Sequence, residues 1–265
     1  MDRVQGAAEP QGELPGLRPQ VIAPEACRCV SARAIAVRWT LVGVALVAAE
    51  VLLMRCVDRA AAEWGLRLYG TDLSDYLGGA GVPLGGPLPY VAAIALLLWA
   101  ARRYAWPRGR RFALLLPLVF AATGLGSFAV KIAVGRQRPF MLHEPQPTFA
   151  SAWERRLDRR FQSFPSSDVM VAAGLAMTLF LLLESGPARY ALFAIPAYSA
   201  FGRVLIARHY PSDCLAAAAL GMVVAWLLWR WQERRAAAAP AAHTDAPDPP
   251  AADPAPPAPA PDDPR

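Results

Sequence analysis

Three histidines occur in this 265-residue sequence, and two of them, His143 and His209, fall outside its low-complexity C-terminal stretch. Histidine titrates near neutral pH, so both are candidates for proton transfer or nucleophilic attack. Asp213 follows His209 by four residues. If a helix begins near that aspartate, its carboxylate can orient the imidazole and stabilise the cationic ring. Lys131 is the only lysine among 27 basic residues. In a chain that uses arginine by default, a lone lysine answers a geometric need, a compact ammonium against one oxygen. Arg203 lies inside the apolar run YALFAIPAYSAFGRVLIA, where an arginine costs roughly 2.5–3.5 kcal/mol on insertion scales. A shared anion site explains that cost better than snorkelling to the interface. Arg138, Ser166, Ser167 and Asp168 complete a polar set. Its cations, together with N–H groups at helix starts, suit a phosphate.

The elements that must position these residues are hydrophobic. Six apolar segments fall near 37–54, 88–101, 112–130, 168–184, 189–207 and 213–230, each about long enough to cross a ~30 Å hydrocarbon layer at roughly 20 residues per span. The second is short as drawn and extends back into the Gly/Pro-rich run at 78–87. All six are apolar on every side, which argues against buried helices of a soluble protein. Composition agrees: 55% of residues are hydrophobic and 18% charged, where a soluble domain carries about 25% charged. The expected fold is all-α, a six-transmembrane helical bundle. Counting spans puts the end of the third (Lys131), the start of the fourth (Ser166 to Asp168), the end of the fifth (Arg203 to His209) and the start of the sixth (Asp213) on one membrane face. A site at the outer, periplasmic helix ends follows.

Arginine sets the orientation. Arg102, Arg103, Arg108, Arg110 and Arg111 fill the link between the second and third spans without an acid, Arg230, Arg234 and Arg235 flank the last span, and Arg28, Arg33 and Arg38 the first. The positive-inside rule places these clusters and both termini in the cytoplasm. Asp58, Glu63, Asp72 and Asp75 then make the first external loop mildly acidic. Residues 131–164 break the rule, with Lys131 and six arginines outside, and their charge calls for another explanation. The net charge of +6 thus serves topology, and nucleic acid is not an expected partner. Glu50 has no evident partner within the first span; inward packing or protonation is the default. Cys27, Cys29, Cys56 and Cys214 show neither metal nor disulfide spacing, so incidental thiols and no metal site are expected. Residues 1–33 read as a polar cytoplasmic segment without a cleavable signal, 34–235 as the membrane domain, and 236–265 as a disordered Ala/Pro/Asp tail.

The polar residues also carry a family pattern. Lys131-IAVGRQ-Arg138-Pro139, then Pro165-Ser166-Ser167-Asp168, then Gly202-Arg203-VLIAR-His209-YPS-Asp213 resembles the three motifs of the type 2 phosphatidic-acid phosphatase superfamily, K-x6-R-P, P-S-G-H and S-R-x5-H-x3-D. The first motif is complete. The third lacks only its leading Ser, replaced by Gly202, and the second has Ser167 for Gly and Asp168 for His. The resemblance implies a metal- and cofactor-free phosphatase of the membrane branch acting on a lipid phosphate or diphosphate. His209 would attack phosphorus to form a phosphohistidine, and Asp213 would hold the ring. Lys131, Arg138, Arg203, Ser166 and the backbone at Ser167 would bind the phosphate oxygens. In the family the histidine at the position of Asp168 protonates the leaving oxygen. An aspartate there leaves three readings: a variant acid, a leaving group that needs little protonation (or another donor such as His143), or a phospholipid-binding site with weakened turnover. Phosphotransfer to a second lipid uses the same chemistry. A transporter is disfavoured because no inverted repeat is apparent. Compact size and Arg/Ala-rich composition point to a bacterial inner membrane.

Overall fold

A computed structural model describes residues 32–238 except positions 82 and 184, with side chains from Val37 onward. The N-terminal polar segment, Cys27, Cys29, His243 and all but the start of the C-terminal tail lie outside the described residues. Two units divide the chain, Met1–Val47 and Ala48–Arg265. In the first, the described side chains of helix α1 (Ala32–Leu52) up to Val47 are exposed and mostly apolar, Trp39, Leu41 and Val44 among them. A helix that presents apolar groups on all sides suits lipid rather than water.

The second unit takes up the end of α1 and continues through a π-helical turn, Leu53–Val57, into α2 (Asp58–Leu68). Short turns over Ser74–Gly85 lead to α3 (Pro87–Arg103) and α4 (Pro107–Val134). A long connection containing one short helix, Ala152–Leu157, precedes α5 (Ser167–Leu182), α6 (Ala194–Leu205) and α7 (Pro211–Ala238). No β-strand occurs among the described residues. Helices α3, α4 and α7 each open on a proline, whose missing N–H costs nothing in a first turn. Gly135 closes α4 in the left-handed region at φ 62°, its N–H 2.9 Å from the Lys131 carbonyl, a conformation that glycine adopts without strain.

Among the described residues, three helical stretches are long and apolar enough to cross a bilayer: Val37–Leu68, Pro107–Met141 and Pro211–Ala238. A fourth arises if Ser74–Gly85 and Pro87–Arg103, bent by 50°, count as one broken span, which carries the second segment back into the Gly/Pro run. Helices α5 and α6 hold 16 and 12 residues, short of the roughly 20 that a full crossing takes.

Helices α3, α4, α5 and α7 build the core. Phe112, Leu115, Leu116 and Val119 of α4 pack with Tyr90 and Leu97 of α3, Val171 and Leu175 of α5, and Ala225 of α7. The Tyr90 hydroxyl donates to the Val171 carbonyl at 2.9 Å, so the one polar atom of that ring is satisfied where it is buried. Small residues let α5 and α7 approach: Ala172, Ala173 and Ala217 are fully buried, and a Cβ on Gly221 would run into the Met170 carbonyl. Close backbone contact at small residues is the usual basis of helix association in lipid. Glu50 stays without a hydrogen-bond partner at either carboxylate oxygen, both of which are buried.

Candidate active site

The C-terminal end of α4, the N-terminal ends of α5 and α7, and the turn after α6 are joined by hydrogen bonds. Lys131, in the last turn of α4, is buried and donates to the carbonyls of Gln162 (3.1 Å) and Pro165 (2.6 Å). The Ser166 N–H, at the mouth of α5, donates to the Asp213 carbonyl at 3.2 Å. Beyond α6 the chain folds back, with the N–H groups of Arg208 and His209 3.0 and 3.3 Å from the Arg203 carbonyl. Ala207 makes that turn at φ 51°, a region costly for a residue with a Cβ. Its carbonyl is tied to the Phe140 N–H at 3.1 Å.

His209 is 3% exposed. Its Nδ1 lies 2.7 Å from the Ser163 carbonyl. A carbonyl only accepts, so Nδ1 carries the proton and Nε2 keeps the lone pair. Asp213 Oδ2 is 3.7 Å from Nδ1, too far for a hydrogen bond. The main chain therefore holds the ring, and the carboxylate acts on it through charge. Burial pushes the His209 pKa down to about 4, aided by the charges of Lys131 and Arg138 and opposed by Asp213. The ring is neutral, and Nε2 nucleophilic, at physiological pH.

Asp213 is itself fully buried and locked. It accepts from Arg136 Nη1 at 2.6 Å, from the Tyr210 N–H at 2.9 Å and from the Ser163 hydroxyl. Arg136 reaches on to Asp58 at 2.6 Å and to the Ser212 hydroxyl at 2.7 Å, and its guanidinium lies 4.3 Å from the Tyr210 ring centroid. Asp58 caps α7 from outside that helix, accepting from the Ser212 N–H at 3.1 Å and hydroxyl at 2.5 Å. One arginine between two buried carboxylates leaves a net negative charge beside His209, which favours a cationic ring.

The remaining expected residues surround this centre. Arg203 Nη2 contacts Asp168 Oδ2 at 2.5 Å. Ser167 accepts from the Ser127 hydroxyl at 2.9 Å. Arg138 Nε, Arg203 Nε and Ser166 Oγ are buried without hydrogen-bond partners. Gly85 lies against Asp168 so closely that a Cβ there would meet the aspartate's Cβ, Cα and carbonyl. His143 stands apart, exposed, beside Glu63, Leu66 and Arg67 at a surface depression of about 290 Å³. A larger cavity of about 730 Å³, lined by Arg102, Arg110 and Arg111, sits at the other end of α4 and contains none of these residues.

Sequence reasoning missed Asp58, Arg136, Ser163 and Ser212. By sequence Asp58 groups with the acids of an external loop, yet it is 3% exposed. The connection between α4 and α5 is tied together by its backbone. The Arg160 carbonyl accepts from the Arg138 N–H at 2.8 Å, and the Gln162 side chain binds the carbonyls of Arg156 and Leu157 at 3.1 Å. That loop is a brace that delivers Gln162, Ser163 and Pro165 to Lys131 and His209.

The fold has a solved counterpart: a transmembrane PAP2-type phosphatidylglycerolphosphate phosphatase from Bacillus subtilis, 20% identical, aligns over 72% of this chain and 96% of that one with a TM-score of 0.51. No curated protein sequence matches the chain significantly. The model of the PAP2 superfamily matches residues 112–237, from the core of α4 to the end of α7. That span contains every residue of the three motifs, so the similarity to the PAP2 superfamily covers the whole candidate site.

Proposed function

We propose that this integral membrane protein hydrolyses lipid phosphates through a phosphohistidine formed on His209, without a metal. The observation that carries the reading is the state of the ring: Nδ1 is committed to the Ser163 carbonyl at 2.7 Å, leaving Nε2 as the free nucleophile. Lys131, Arg138 and Arg203 with the Ser166 hydroxyl bind the phosphate oxygens and neutralise charge in the transition state, and loss of one such donor typically costs 10²–10³ in rate. Asp213, held by Arg136, stabilises the ring once Nε2 carries phosphoryl. In this reading the bundle has six spans, both termini are cytoplasmic and the site opens at the outer face of a bacterial inner membrane, where a headgroup meets His209 while its tail stays in lipid.

The Asp168–Arg203 ion pair favours a second reading, a phospholipid-binding protein with weakened turnover. Purified protein in detergent decides between them. Phosphate release from phosphatidate, phosphatidylglycerol phosphate and a polyprenyl diphosphate is expected, persisting in EDTA and lost in His209→Ala. Normal release from that variant would refute the assignment. Binding of short-chain lipid phosphates with no acid-labile phosphohistidine supports the second reading. Labelled phosphate passing to a lipid acceptor identifies a phosphotransferase.

A further inference from the structure

We propose that the corner between α3 and α4, at the end of α4 remote from His209, binds the phosphodiester headgroup of an anionic phospholipid. This site is independent of the phosphatase reading. Arg110 and Lys131 stand in the first and last turns of α4. They are about 30 Å apart at roughly 1.5 Å per residue, the thickness of a hydrocarbon layer. The corner therefore meets the leaflet opposite the candidate active site.

Arginines that only orient a span act through their number, and their directions are immaterial. Here the directions converge. Arg102, Arg110 and Arg111 line one cavity of about 730 Å³ together with Leu98, Trp106 and Leu114, and no carboxylate is among its described lining residues. Among the described residues, none of the three guanidinium groups forms an ion pair or a hydrogen bond. The neighbouring arginines are engaged elsewhere. Arg103 lies over the Tyr104 ring at 5.5 Å, and Arg108 donates to the Leu181 carbonyl at 3.2 Å.

The cavity is layered as a phospholipid is. Leu98 precedes Arg102 by four residues, and Leu114 follows Arg110 by four. Each leucine thus shares a helix face with its arginine and lies one turn deeper along the span. Guanidinium groups pair phosphate oxygens through two N–H donors, while the exposed Leu114 and Leu98 receive the first methylenes of the tails. Basic pockets between spans at a membrane face suit such headgroups. A zwitterionic headgroup would bring a further cation to a cavity lined by three and no acid.

The corner holds this shape without a ligand. Ala105 turns it at φ 47°, a region costly for a residue with a Cβ, and the Trp106 N–H donates to the Ala101 carbonyl at 3.0 Å. The Trp106 ring packs against Gly109 so closely that a Cβ there would collide with it. From α7, the Gln232 side chain donates to the Arg111 carbonyl at 3.0 Å. Walls fixed in advance reduce the ordering that binding must supply.

The test uses the full-length protein in a neutral maltoside detergent at physiological salt. It is titrated with dioleoyl phosphatidylglycerol or dioleoyl phosphatidylcholine, and retained lipid is counted by native mass spectrometry. Phosphatidylglycerol should bind at least about tenfold more tightly, and excess glycerol phosphate, which has no tail for the leucines, should not displace it. Arg110→Gln and Arg111→Gln should each weaken phosphatidylglycerol binding by about tenfold. Arg103→Gln removes the same charge outside the cavity, and Arg203→Gln removes a cation of the candidate active site; each should change binding by less than about threefold. Equal affinity for the two lipids overturns the proposal. So does displacement by glycerol phosphate, which would indicate a site for free phosphate. Equal losses in Arg103→Gln and Arg110→Gln would leave the arginines only their part in orientation, and a loss confined to Arg203→Gln would put the lipid in the active site; either result overturns it. The two wild-type comparisons decide even if a variant fails to fold.

Discussion

Asp58→Asn is a stringent test of the network behind His209. Asp58 accepts from Arg136 at 2.6 Å and twice from Ser212, at 3.1 and 2.5 Å, and its side chain is 5% exposed against 22% for Arg136. Asparagine fills the same volume but has one acceptor oxygen and a donor amide, so one of these donors meets another donor. Removing one partner of a buried ion pair costs about 3–5 kcal/mol. Arg136 keeps Asp213 at 2.6 Å, which places the expected loss near the lower bound, about 3 kcal/mol. At roughly 2–4 °C per kcal/mol for a chain of this size, the unfolding midpoint should fall by about 6–12 °C. Tryptophan fluorescence of the detergent-solubilised protein reads it. Phosphate release should fall as well, because α7 loses the cap that sets the position of Asp213. A double cycle with Arg136→Gln should show coupling of at least about 1 kcal/mol between the two positions. A midpoint within about 2 °C of wild type, or additive single effects, would mean that the Asp58–Arg136–Ser212 contacts contribute nothing to stability, and the account of the buried network would be wrong.

Three further outcomes follow from the same geometry. His209 is pushed down to about 4 by burial, so the acid limb of kcat/KM should lie near pH 4 once the substrate's own titration is corrected for. Between about pH 6.5 and 4 the unfolded chain binds a proton that the folded chain refuses, so stability falls as pH drops, by up to about 3 kcal/mol in total; unfolding midpoints at pH 7 and 4.5 should converge in His209→Gln. Gly85→Ala pushes a methyl into Asp168. Overpacking of this kind costs about 1–3 kcal/mol, and kcat should fall with the midpoint. Ser163→Ala removes the hydroxyl that serves Asp213 but keeps the carbonyl that holds His209. A loss of about 1–3 kcal/mol in stability with KM unchanged is expected, and a large rise in KM would contradict it.

Lys131, Arg138, Ser166, Arg203, His209 and Asp213 were legible because a polar residue at the edge of an apolar run needs a reason to be there, and span counting brought those edges together. Asp58 was illegible for the converse reason. It opens α2, whose sequence DRAAAEWGLRL carries further charges, and one acid among several looks solvated. Its burial depends on Ser212, 154 residues away, a contact that no local pattern encodes. Arg136 was hidden by company too: among the arginines of one connection, spacing marks Arg138 and says nothing of its neighbour. The anchor on His209 Nδ1 is a backbone carbonyl, and a backbone carbonyl leaves no trace in residue type. The short α6 reflects the same limit, since hydropathy marks the apolar run 189–207 but not that the chain over Pro187–Phe193 winds as a 3-10 helix before α6 begins.

A ring anchored by the peptide backbone is insulated from genetic change in a way that a ring anchored by a side chain is not. Any residue except one that distorts the chain at position 163 still offers the same oxygen to Nδ1. Drift at Asp213 or Arg136 can dim the electrostatics around the imidazole while its tautomer survives, so lineages can retune the reaction's speed and pH range in small steps without first passing through a dead nucleophile.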